Sequence, residues 1–109
     1  MLNILAIGRD PAILQVVERL INGHEGWKAT IVTTEGEAVA AMKAAAAVDG
    51  TKFSIVLVCA GVTIGEEEGL RRRLLQMDPA VVVTRHFGGG SGLLENEILG
   101  ILNSKNNQL

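Results

Sequence analysis

The stretch Phe53-Ser54-Ile55-Val56-Leu57-Val58-Cys59-Ala60-Gly61 decides the fold. Ile55 to Val58 is an unbroken apolar block rich in β-branched residues, with Asp49-Gly50 before it and Gly61 after. A strand buried on both faces reads this way, because neither face meets water. Its end carries a thiol and two small residues, at the point where an open α/β sheet places its functional loop.

Working outward, the flanking segments alternate strand and helix. Leu2 to Gly8 reads as a first buried strand, stopped by Gly8-Arg9-Asp10-Pro11. Asp10 suits a helix cap and Pro11 the first helical position, where no backbone donor is needed. Ile13, Leu14, Val16, Val17, Leu20 and Ile21 recur at helical spacing as one apolar face, and Gly23 is a natural stop. Trp27 to Thr33 reads as a second strand, alternating enough to be an edge. Thr34-Glu35-Gly36-Glu37 opens an alanine-rich helix with body Ala38 to Val48, ended by Asp49-Gly50.

Beyond the opening stretch, Thr63-Ile64-Gly65 reads as a turn and Glu66 to Met77 as a helix with acids first and bases last, matching the macrodipole. Glu67/Arg71 and Glu68/Arg72 are spaced to pair across one turn. Asp78-Pro79 ends that helix. Ala80 to Thr84 is a short fourth strand, Arg85 to Gly92 a glycine-rich loop, and Leu93 to Asn103 a last helix burying Leu94, Ile98, Ile101 and Leu102.

The order β-α-β-α-β-α-β-α means one α/β domain over 1–109: a three-layer α-β-α architecture whose parallel sheet is covered on both faces. The expected strand order is 2-1-3-4, resembling a flavodoxin-like sheet that lacks its fifth strand. Strands one and three are then central, and ligands bind such sheets beyond their C-terminal ends.

Composition narrows the function. The chain has 109 residues, 10 basic and 12 acidic, and 3% aromatic content. That profile does not point to direct nucleic-acid binding. One cysteine forms no internal disulfide, no metal-binding cluster is evident, and a cytoplasmic location fits. No segment reads as a leader or a membrane span. No cofactor is implied.

Three places carry candidate chemistry. Gly88-Gly89-Gly90-Ser91-Gly92 follows a strand and opens a helix, so its backbone N–H groups could face an anion, with Arg9, Arg85 and His86 adding donors. It lacks the lysine of a P-loop, and Leu93 stands where GxGxxG needs its last glycine. A flexible connection is the plainer reading. Cys59 is either a thiol activated near Arg9 and a helix N-terminus or, the favoured reading, a small buried residue. His86 is a possible base or anion ligand, His24 a solvated loop residue, and Trp27 a packing residue at the sheet end.

Ile4 to Leu14, Phe53 to Cys59, Glu68-Gly69-Leu70 through Met77-Asp78-Pro79, and Val81-Val82-Val83-Thr84 together resemble the receiver domain of bacterial response regulators. The resemblance runs from about Met1 to Thr84. Receivers hold Mg²⁺ with an acidic pair after the first strand and phosphorylate an aspartate ending the third. Here Gly8 and Arg9 stand where the acidic pair belongs, Cys59 stands at the phosphoacceptor position, and Thr84 matches the hydroxyl position. A thiol does not replace a carboxylate beside hard Mg²⁺, which wants oxygen ligands.

The resemblance therefore implies a degenerate, non-enzymatic receiver: a signalling module that works through protein contacts. The expected partner is a second copy, through the fourth-strand edge guarded only by Arg85, or through the last helix. The alternative is a Rossmann-like binder of a phosphate-bearing ligand using the glycine loop.

Overall fold

A computed structural model describes residues 2–48, 51–86 and 91–106. Apolar side chains stand on both faces of the central strands, so each face must be covered by helices. The elements are β1 (Leu2–Ile7), α1 (Pro11–Asn22), β2 (Trp27–Val32), α2 (Glu35–Ala46), β3 (Phe53–Val58), α3 (Ile64–Met77), β4 (Val82–Arg85) and α4 (Ser91–Asn106). The sheet is parallel throughout, in the order β2-β1-β3-β4. That is the order expected from the sequence, with β1 and β3 central.

Alternation along the strands divides the core in two. Leu5, Ile7, Val56 and Val58 pack with Val39, Met42, Leu70 and Leu74 of α2 and α3. Ile4, Ala6, Ile55, Leu57 and Cys59 pack on the other face with Leu14, Val17 and Ile21 of α1 and Leu94 and Ile98 of α4. Ile4 to Ala6 and Ile55 to Val58 are fully buried. The register against β1 shifts between Asn3 and Ile4, where Ser54 is the extra residue of β3.

Helix starts follow their caps. The Asp10 carboxylate accepts from the N–H groups of Ala12 and Ile13, with Pro11 in the first turn. Thr34 and Glu37 form a capping box on α2. Thr63 and Glu66 form another on α3, so Ile64 and Gly65 are helical and not the expected turn. The signal was present as Thr-x-x-Glu. Other differences are smaller. The apolar face of α1 is narrower than its spacing suggests, since Ile13 and Val16 are exposed. β4 runs Val82–Arg85, two residues later than expected at its start. The expected stop at Asp49-Gly50 falls outside the described residues.

Candidate functional site

The C-terminal end of the sheet is built from the β1–α1 and β3–α3 loops. These two loops close on each other. Cys59 N–H donates to the Ile7 carbonyl at 2.7 Å, and Arg9 N–H donates to the Ala60 carbonyl at 3.0 Å. Gly61 has φ of 93°, a left-handed conformation that glycine alone adopts freely. A Cβ added there would lie 2.5 Å from the Arg9 Cβ. Gly8 is nearly as confined, with the Cys59 Cβ 3.1 Å from where its own Cβ would be. The crevice between β1 and β3 is thus filled by the Arg9 stem lying over Gly61.

The basic side chains at this end each meet a glutamate. Arg9 pairs with Glu66, at the first turn of α3. Arg85 Nε donates to Glu67 at 2.5 Å, and its Nη2 donates to the Val62 carbonyl at 2.8 Å. His86 is 7% exposed, and its Nδ1 lies 3.1 and 3.2 Å from the two carboxylate oxygens of Glu97 on α4. Arg9, Arg85 and His86 are therefore brought to one end of the sheet, but each already has a carboxylate partner. Gly88, Gly89 and Gly90 of the expected anion loop lie outside the described residues, and Ser91 begins α4.

Cys59 is 1% exposed and packs among the residues between α1, α4 and the sheet. Burial pushes its thiol up from 9.0 to about 11; the Glu97 carboxylate adds to that and the Arg85 guanidinium opposes it. Such a thiol is a poor nucleophile near neutral pH.

Oxygen donors for Mg²⁺ are not assembled here. Asp10 is engaged in capping α1, Arg9 brings a cation, and Cys59 brings a buried thiol. Among the described residues no three His, Cys, Asp or Glu side chains are grouped to hold a metal. The residues present do not fit the ion that receivers use.

The sequence reading missed the glutamates. Glu66-Glu67-Glu68 reads as a solvated face, yet Glu67 is held between Arg85 and Arg71, the latter at 3.0 Å. Arg71 also donates to the Val83 carbonyl at 3.1 Å. Since His86 N–H donates back to Val58 on β3, the alternating Val83 carbonyl faces the open edge of the sheet. Arg85 is thus not the sole guard of that edge; Arg71 covers it as well. Glu68 and Arg72, also spaced to pair, do not close to ion-pair distance. His24 is not simply solvated: its ring stacks on Trp27 with centroids 3.6 Å apart.

Comparison with known proteins agrees with the geometry at the level of fold. No family model and no curated protein matches the chain. Among solved structures, the chain is similar to the crystal structure of a response regulator receiver domain protein (CheY-like) from Methanospirillum hungatei JF-1. The TM-score is 0.63 at 15% identity, covering 100% of this chain and 99% of that one. The fold is receiver-like. In this receiver-like fold the end of β3 carries Cys59, and the loop after β1 carries Gly8 and Arg9.

Proposed function

We propose that the protein is a non-enzymatic signalling module, a receiver-like scaffold that acts through protein contacts and lacks phosphorylation chemistry. The observation that carries this is the self-occupied end of the sheet: Arg9 on Glu66, Arg85 on Glu67, His86 on Glu97, and a buried thiol ending β3. Among the described residues, a phosphoryl group arriving there meets neither a carboxylate at the end of β3 nor an unpaired cation.

The partner we propose is a second copy joined along β4. Support comes from the edge itself. β4 is a four-residue half-buried strand whose Val83 carbonyl, among the described residues, accepts on its open side from Arg71 alone. Holding Arg71 there leaves its Nε buried without a hydrogen-bond partner among the described residues. A buried unsatisfied donor costs about 1–3 kcal/mol. An incoming strand's N–H would replace Arg71 on Val83 and let its buried Nε reach water.

Three measurements test the reading. Incubation with acetyl phosphate and Mg²⁺ is expected to leave the mass unchanged; a stable phospho-adduct would sink the claim that phosphorylation is absent. Light scattering after size-exclusion chromatography is expected to show a concentration-dependent dimer, and a clean monomer at high concentration removes the proposed partner. Stabilisation by phosphate or sulfate that Arg85→Ala weakens would replace this reading with the anion-binding one.

A further inference from the structure

We propose that the groove beneath the C-terminal half of α2 binds a small organic carboxylate with a short apolar body. This groove is at the opposite end of the sheet from Arg9, Arg85 and His86. It has a volume of about 330 Å³, and its walls include Lys28, Thr30, Thr51, Phe53, Ala44 and Ala45. That is the lower end of the size range for small-molecule sites, about 300–1,000 Å³.

The groove follows from how α2 meets the sheet. Up to Met42 it buries Ala38, Val39 and Met42 in the cluster with Leu5, Ile7, Val56 and Val58. Past Met42 the helix turns only the methyls of Ala44 and Ala45 to the groove, and these do not reach the polar row begun by Lys28 on β2. A space walled by methyls and the Phe53 ring on one side and by donors on the other is left open.

The charge in it is of one sign. Among the described residues lining the groove, Lys28 is the only charged one. It makes no ion pair with a described residue, and the Thr30 hydroxyl makes no side-chain hydrogen bond to one. The last turn of α2 does not hold Lys28 either: the Ala45 carbonyl lies 2.7 Å from the Thr51 hydroxyl, whose one proton is shared with the Val48 carbonyl beyond the helix at 2.8 Å. A carboxylate placed between Lys28 and Thr30 receives a charge-assisted hydrogen bond and a neutral one. Its apolar body then lies on Phe53, Ala44 and Ala45. A bare inorganic anion would leave that wall uncovered, and a neutral ligand would leave the ammonium unmatched.

The test is a titration of isotope-labelled protein, followed by amide chemical shifts, with benzoate, benzamide and inorganic phosphate as probes. Benzoate is expected to shift the amides of Thr30, Ala44, Ala45 and Thr51 saturably. Benzamide and phosphate should each bind about tenfold more weakly, since each lacks one half of the match. Lys28→Gln, at an exposed position, should weaken benzoate about tenfold as well. Ala44→Leu fills the groove and should abolish the shifts. The proposal is overturned by unshifted amides at these positions, by equal affinity for benzamide or phosphate, or by benzoate binding indifferent to Lys28→Gln.

Discussion

At Gly61 two constraints coincide: a φ of 93° and the Arg9 Cβ 2.5 Å from where a side chain would begin. Gly61→Ala must strain its own backbone or push the β1–α1 loop away. A loss of about 1–3 kcal/mol is expected, read from urea unfolding. Cys59 makes a second prediction at this scale. Its folded-state value is raised, from 9.0 to about 11, so the unfolded chain loses the proton first. The stability tied to this group is complete below pH 9 and falls as the pH rises toward 11. Melting curves across that window should therefore steepen their decline in the native chain relative to Cys59→Ala, which lacks the titrating group. Thiol reagents at pH 8 should label the folded protein far more slowly than the urea-unfolded one.

Among the elements, α3 and β4 are linked by side chains and not by sequence neighbours. Glu67 holds Arg71 and Arg85, and Arg71 holds the Val83 carbonyl, so one helix turn organises the sheet edge. If β4 is the dimer edge, Arg71→Ala removes the competitor and relieves its orphaned Nε. Dimerisation should then tighten by about 1 kcal/mol, roughly fivefold, as read by sedimentation equilibrium. Unchanged or weaker association would argue that Arg71 belongs to the interface and does not guard it. Thr63→Ala tests the other end of α3: it removes the capping hydroxyl from Glu66 N–H and should cost about 1 kcal/mol. Local signals such as Asp10-Pro11 and Asp78-Pro79 were legible because each acts within one turn of chain, whereas Thr63-Ile64-Gly65 was read as a turn although Glu66 completes a capping box with Thr63. The pairing of Arg9 with Glu66 was not, because it spans 57 residues and arises only when two loops meet.

Over the whole molecule, the sheet order was legible because Ile4–Ile7 and Ile55–Val58 are apolar on both faces, which only central strands tolerate. At concentrations low enough to keep the protein monomeric, amide exchange should follow the same order, slowest in β1 and β3 and fastest at the outward groups of β4. Equal protection across all four strands would contradict a monomeric four-stranded sheet with an open β4 edge. The candidate site was less legible. Composition supplied Arg9, Arg85 and His86 as donors, but folding decided that glutamates from α3 and α4 would meet them. That decision reaches into kinetics. With Arg9 and Arg85 matched by Glu66 and Glu67, field lines leaving this end of the protein close within it. A charged molecule approaching it is not drawn in from a distance, so its on-rate should be ordinary and nearly independent of ionic strength. Any selectivity at this end must then reside in how slowly a partner leaves.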